Sequence, residues 1–225
     1  MGAFDEPTWD IYREIHKAAR WVLCRAMMVA GSADAASDES MDAVQGAVNE
    51  VLFVLRGHHD HEREFVDDLV ALHAPGLRDE IEVAHLATDE ALDRIEELTA
   101  GVIAAPVAGR NPLLHRLYLD LSNLAAGYLL HLDAEERLVM PALNDAMSKE
   151  ELMELTEVLR ASVVPTDMCR FMQSMLPSMN NLERTDMLTG MSHAPPEIWA
   201  QFRSAANQAL STGDFDAATA HLTAV

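Results

Sequence analysis

The segment 51-VLFVLRGHHDHEREFVDDL-69 decides the fold. Val51, Leu55, His58, Glu62, Val66 and Leu69 recur at intervals of three and four, the repeat of one face of an α-helix. That face places an imidazole and a carboxylate among its apolar positions, four residues apart and therefore one above the other. A strand would send successive side chains to opposite faces, and the β-branched alternation that marks strands is nearly absent from the chain. The N-cap composition of Ser37-Asp38-Glu39-Ser40 predicts the start of this helix, and Pro75-Gly76 its end.

The same period extends in both directions. Upstream, a helix is expected to open near Pro7 and to carry Trp9, Tyr12, Ile15, His16, Ala19, Leu23 and Met27 on one side until Gly31-Ser32. Downstream, a third helix carries Leu77, Ile81, His85, Leu92 and Ile95 inward, with Thr88 interrupting the stripe, and stops at Gly101 before an Ala-Pro-Val-Ala-Gly linker. Asn111-Pro112 supplies a cap and a first-turn proline for a fourth helix. Its inward face is Leu114, Tyr118, Leu121, Ala125, Tyr128, His131, Glu135 and Leu138, and it runs to about Met147 with a kink at Pro141.

Short connections favour antiparallel neighbours, so the expected fold is all-α: an up-down-up-down four-helix bundle over residues 1–147, followed by a helical C-terminal extension over 148–225. The extension opens on a capping box, Ser148 with Glu151, and Pro165, Pro177 and Pro195-Pro196 cut it into short helices. Its methionines at 168, 172, 175, 179, 187 and 191 suit adaptable helix packing, in a core or against a partner.

Composition narrows the class. With 225 residues, 49% of them hydrophobic, the chain can bury a core without staples. Cys24 and Cys169 have no metal-ligand spacing and read as free thiols in a reducing compartment, Cys24 buried and inert among Ala and Met. A net charge of −21 repels nucleic acid and anionic lipid, so neither is an expected partner; acidic helical surfaces of this kind keep a protein soluble. The acidic start lacks the regions of a signal peptide, and no apolar run reaches the roughly 18 residues of a membrane span, so a cytoplasmic protein is expected.

The informative feature is where the histidines fall. Eight of the ten lie in the four expected bundle helices, and each helix has one on its apolar stripe. His58 with Glu62, His85 with Asp89 and His131 with Glu135 repeat the four-residue pair, and His16 stands alone on the first helix. Facing helices that offer nitrogen and oxygen donors at this spacing are what a dinuclear site in a bundle requires, the carboxylates bridging two cations and offsetting their charge. Counted from Gly31, Ser40, Gly101 and Pro112, the four stripe histidines lie 15 to 19 residues in, a spread of about 6 Å, and one layer can hold them. His59 lies beside the arc of His58 and Glu62 and is a candidate seventh ligand, whereas His61 lies on the other side, exposed or behind the ligands. Other metal patterns fail: Phe65 stands where a zinc-protease motif needs its second histidine, and Glu82-x-x-His85 is one Glu-x-x-His where ferritin-like proteins need two.

The run His58-His59-Asp60-His61-Glu62, then His85, then His131-Leu132-Asp133-Ala134-Glu135-Glu136 with Pro141 beyond, together with Ile15-His16-Lys17, resembles the hemerythrin-like domains over about residues 8 to 147. The resemblance implies a bundle holding two non-haem irons, with His16, His58, Glu62, His85, His131 and Glu135 as ligands and His59 and Asp89 at the margin of the site. Oxygen-carrying members place a second histidine where this chain has Asp89, and their last helix uses an Asp five residues after its His; here Glu135 at four fits the face better than Glu136 at five. What is implied is a diiron protein reacting with dioxygen, peroxide or nitric oxide, closer to redox chemistry or detoxification than to oxygen carriage. The alternatives are an iron or oxygen sensor that signals through the C-terminal helices, where a protein partner or second copy would dock, and a diiron oxygenase of an organic substrate.

Overall fold

A computed structural model describes residues 9–223. Among them the chain is all-helical, with no strand. In chain order the elements are α1 (Arg13–Ser32), α2 (Asp38–Phe65), α3 (Asp67–His73), α4 (Pro75–Ala104), α5 (Val107–Ala134), a π-helical turn (Glu135–Val139) and α6 (Met140–Ala146). They continue with α7 (Lys149–Ser162), α8 (Pro165–Ser178), α9 (Asn181–Met191), α10 (Pro196–Ala209), α11 (Thr212–Thr219) and a closing 3₁₀ turn (Ala220–Thr223). Among the described residues no helix is long and apolar enough to cross a membrane.

The chain forms two compact units. One comprises residues 9–12 and Val22–Thr156; the other comprises Arg13–Trp21 and residues 157–223. Both α1 and α7 therefore contribute residues to each.

In the first unit α4 packs on α5 and α2, and α3 packs on α4 and α6. Leu55 of α2, Leu92 and Ile95 of α4, and Leu117 and Leu121 of α5 are fully buried. A second apolar cluster gathers Tyr12, Val66, Val70, Ile81, Val139, Met140, Leu143 and Leu152. Along α2, α4 and α5 the buried histidines and glutamates fall between these two apolar stretches, so polar groups are held between dry layers.

Helix boundaries depart from the sequence expectation in instructive ways. The expected opening near Pro7 lies outside the described residues, but residues 9–12 are not helical, and α1 begins at Arg13. The Asp10 carboxylate accepts the Tyr12 N–H, a local turn that competes with helix. Trp9 is tied elsewhere: its backbone exchanges hydrogen bonds with the Asn144 side chain at 3.3 and 3.0 Å, and its indole N–H donates to Thr156 Oγ1 at 2.8 Å. The second helix keeps its cap, Ser37 Oγ accepting the Ser40 N–H, but breaks at Val66 and restarts at Asp67. Ala74, at φ −136° and ψ 52°, then ends α3 because the residue before a proline is driven from helical geometry.

The third helix runs through Gly101 to Ala104, since fully buried Val102 anchors its last turn. Pro106 then caps α5, which leaves Pro112 inside the helix, not at its start, and Tyr118 37% exposed. Leu117 takes the inward position, and Tyr118 lies over Gly31, where an added Cβ would sit 3.2 Å from its ring. The expected kink at Pro141 is a π turn instead: the Met140 N–H reaches back five residues to Glu135 O. Pro141 offers no N–H and crowds the carbonyl four residues before it; the wider turn relieves both and leaves it at the start of α6. The same turn puts Leu138 on the surface while Glu135, Val139 and Met140 stay buried. Cys24 is exposed, not buried, because Val22, Leu23 and Ala26 occupy the inward positions around it.

In the second unit α8 packs on α10 and α9 on α11, around Phe171, Met172, Met175, Leu176, Leu188 and Ala206. Pro165 and Pro196 open α8 and α10, and Met179 and Met187 are buried as packing residues. The Ser148–Glu151 capping box forms, and Asn180–Glu183 is another. Glu183 also binds Lys17, and Arg160 binds Glu14, so the first turns of α1 are paired within this unit. Burial alone would raise the Glu183 carboxyl; the Lys17 ammonium and the Asn180 N–H outweigh it and hold the group below the usual carboxylate range. A folded-state pKa below the unfolded one adds stability above the ordinary carboxylate range that is lost as pH falls through the folded value. Glu183→Gln is therefore expected to cost about 1 kcal/mol in urea unfolding at pH 7, typical of a cap plus a partly buried pair, and nothing once both proteins are acidified below that value.

Candidate metal centre

Three elements supply the polar cluster of the first unit. Helix α2 brings His58, His59 and Glu62, α4 brings His85, and the end of α5 with its π turn brings His131 and Glu135. All are between 0 and 4% exposed. Glu135 opens the π turn and is buried, whereas Glu136 is half-buried.

The donors converge. One ligand atom from each of His59, Glu62, His85 and His131 lies within 4.8 Å of the others. Glu62 Oε2 is 3.2 Å from His85 Nε2 and 3.5 Å from His58 Nε2. Glu135 stands across from it, Oε1 at 3.0 Å from His131 Nε2 and 3.8 Å from His85 Nε2, Oε2 at 4.0 Å from His58 Nε2. Yet His59 Nε2, Glu62 Oε2 and both ring nitrogens of His85 and His131 are buried without a hydrogen-bond partner. Leaving one buried polar group unsatisfied costs about 1–3 kcal/mol, and six such atoms in one place are hard to account for as structural polar residues. A metal ion bound here would take one atom from each of His59, Glu62, His85 and His131, and a donor set of imidazoles and carboxylates fits a transition metal.

Electrostatics point the same way. Burial, then the Glu135 charge, raises the Glu62 carboxyl far above the ordinary range. Burial and the neighbouring His85 and His131 depress His59, which is held neutral. Burial would depress His85 as well, but Glu135 and Glu62 outweigh it and raise it to about 10. Two carboxylates this close in a dry interior need a shared proton or a cation between them.

Two tyrosines and one aspartate frame the cluster. Tyr12 meets the His58 ring edge-on at 6.3 Å between centroids. Tyr128 lies 5.6 Å from His59 and 5.5 Å from His131 by the same measure, and its buried hydroxyl has no hydrogen-bond partner. Asp89, expected beside His85 as a ligand, lies outside the converging groups. Its Oδ1 is 3.3 Å from His59 Nδ1 and its Oδ2 is paired with Arg63. Holding Nδ1 in this way turns the other nitrogen, Nε2, into the cluster's donor. Asp89→Ala is expected to weaken metal binding roughly 10- to 100-fold, as loss of an orienting carboxylate does, when chelator competition is compared with wild type. Unchanged affinity would remove Asp89 from the site.

His16 is fully buried and lies on the part of α1 that belongs to the second unit. Of the remaining histidines, His115 and His193 are exposed, and His61 Nδ1 faces the Gly57 carbonyl. Asp67 and Glu82, which lie close to His85, have no counterpart in the expected ligand set. The Glu82-x-x-His85 spacing is the one sequence signal of that proximity; Asp67 gives none, because its position depends on the break at Val66.

Compared with protein-family models, curated proteins and solved structures, the chain matches none.

Proposed function

We propose that this chain is a non-haem diiron protein that reacts with a small oxidant or diatomic, namely dioxygen, hydrogen peroxide or nitric oxide. In this reading α1, α2, α4 and α5 form an up-down-up-down bundle. His16, His58, His59, Glu62, His85, His131 and Glu135 hold the metals, and Asp89 orients His59. The observation that carries it is the convergence of His59, Glu62, His85 and His131, with His59 Nε2, Glu62 Oε2 and the ring nitrogens of His85 and His131 buried and unbonded. The resemblance of these residues to the hemerythrin-like domains is what favours a pair of ions and iron over manganese or zinc, which the same oxygen and nitrogen ligands also serve.

Iron bound here would supply one-electron redox change and a coordination position for the small ligand. The protein does the rest. Glu62 and Glu135 offset cationic charge in a cluster that excludes bulk water. The Tyr128 hydroxyl, buried and unpartnered, is available to donate a hydrogen bond to a ligand bound beside His59 and His131. Asp89, facing His59 Nδ1, makes that imidazole a stronger ligand, which favours the higher oxidation state and hence oxidation or detoxification over reversible carriage. Metal analysis after iron supplementation, with absorption spectra before and after dioxygen and peroxide, tests this: two irons per chain and oxidant-dependent bands are expected. Fewer than two equivalents of any transition metal would count heavily against a pair, and reversible oxygen binding through many cycles would make it a carrier.

One observation favours a sensor as the second reading. The turns of α1 that bear His16 are ion-paired to the C-terminal helices through Lys17–Glu183 and Glu14–Arg160. In this reading those helices respond to metal, and a protein partner or a second copy of the chain could read the change there. Limited proteolysis separates the readings: cleavage within residues 157–223 that depends on metal supports the sensor, and cleavage indifferent to metal supports a catalyst.

A further inference from the structure

We infer that Asp67, Glu82 and His85 form a loading site that takes a divalent cation from water and passes it inward through His85; this rests on the reading of the buried cluster as a metal centre. One ligand atom from each of the three lies within 4.8 Å of the others. Their exposure is graded, Glu82 exposed, Asp67 half-buried and His85 1% exposed. His85 is also a member of the buried group with His59, Glu62 and His131, and neither of its ring nitrogens has a hydrogen-bond partner. A single imidazole is thus common to an outward group and an inward one.

A buried metal centre has a kinetic difficulty that this arrangement removes. A hydrated cation loses its water unfavourably unless protein donors replace it step by step, and the inner donors are all nearly inaccessible. Carboxylates at the surface exchange with water readily and accept a cation while part of its hydration remains. His85 then provides the first nitrogen ligand before the outer oxygens are released. Transit also requires that the outer site hold weakly. Glu82 is exposed and Asp67 only half-buried, so water competes with both for the cation. The inner group adds two more imidazoles and a buried carboxylate, so affinity rises inward.

The test follows uptake of cobalt(II) by the metal-free full-length chain, using growth of the cobalt d–d absorption in stopped flow. For wild type the rate is expected to saturate with cobalt concentration, the sign of a binding step before entry. For Asp67→Asn with Glu82→Gln the final absorbance and the bound equivalents are expected to match wild type, while uptake is at least about tenfold slower and rises linearly with cobalt. A control carrying Asp79→Asn and Glu80→Gln, two exposed carboxylates of α4 outside the group, is expected to stay within about twofold of wild type. Equal rates in the loading variant and wild type overturn the proposal. So does an equal slowing of the control, which would assign the effect to overall charge, and so does loss of bound cobalt at saturation, which would make Asp67 and Glu82 supports of His85. If wild type binds no cobalt, the buried centre itself fails and the loading site with it, a result distinct from normal binding at an unchanged rate.

Discussion

Stripping the metal is expected to lower the thermal midpoint of this protein by roughly 8–16 °C. A cation present at about a thousand times its dissociation constant stabilises a fold by about 4 kcal/mol, and each kcal/mol moves the midpoint of a chain of this size by about 2–4 °C. The effect is expected because Glu62 and Glu135 are buried together, and the folded chain without a cation must hold protons there instead. That requirement sets a pH dependence. In the metal-free fold Glu62 and His85 keep their protons to higher pH than in the unfolded chain. Groups with a raised folded-state pKa stabilise fully below their unfolded values and lose that contribution as pH rises through the folded ones. Metal-free stability should therefore fall above neutrality towards the His85 value of about 10, while metal, which needs deprotonated ligands, binds more tightly. Calorimetry of chelated and reconstituted protein at pH 6.5 and 8.5 should show a larger metal-dependent gain at the higher pH. A midpoint indifferent to chelation at both values would leave the buried cluster without a cation to bind.

Glu62→Gln should abolish one metal equivalent or both, weakening affinity by at least about 100-fold, more than loss of an orienting group would. Glu62 is the hinge of the cluster: its Oε2 faces His85 at 3.2 Å and His58 at 3.5 Å, and its carboxylate belongs to the converging four-residue group. Glutamine keeps the volume and removes the charge. Because Glu62 is buried near Glu135 and must take up a proton in the metal-free fold, glutamine removes a like-charge conflict, and the metal-free variant should be at least as stable as the metal-free parent. The pair of readouts is diagnostic, since a residue important only for folding would show the reverse. Metal counting by mass spectrometry after gel filtration, with urea unfolding of both metal-free proteins, checks it. Retention of two equivalents by the variant would displace Glu62 from the centre.

The periodicity that marks α2 also marks the deep burial of His58, Glu62, His85 and His131, because a helix face of constant period can be read without knowing its neighbours. The same period does not fix where the helices end. Gly101 and Pro112 do not mark helix ends: α4 continues to Ala104 and α5 begins at Val107. A single glycine or proline costs a helix only a few kcal/mol, and a buried residue such as Val102 in the last turn is enough to override it. Convergence of the donors within 4.8 Å therefore comes from how the helices pack and not from those ends.

For the candidate centre, sequence alone determined the donor types, their four-residue spacing and the helices that carry them, since these depend on local chain geometry. Tertiary structure decided which of these residues meet and what each one faces. Asp89 is one turn from His85 in sequence, but it is engaged by His59 and Arg63 of α2, a neighbour that no spacing on α4 specifies. Asp67 reaches His85 because α2 breaks at Val66, and Glu135 is buried at the opening of a π turn beside Pro141. Contacts between helices and departures from ideal helix geometry depend on packing across the core, and a one-dimensional period does not contain that information.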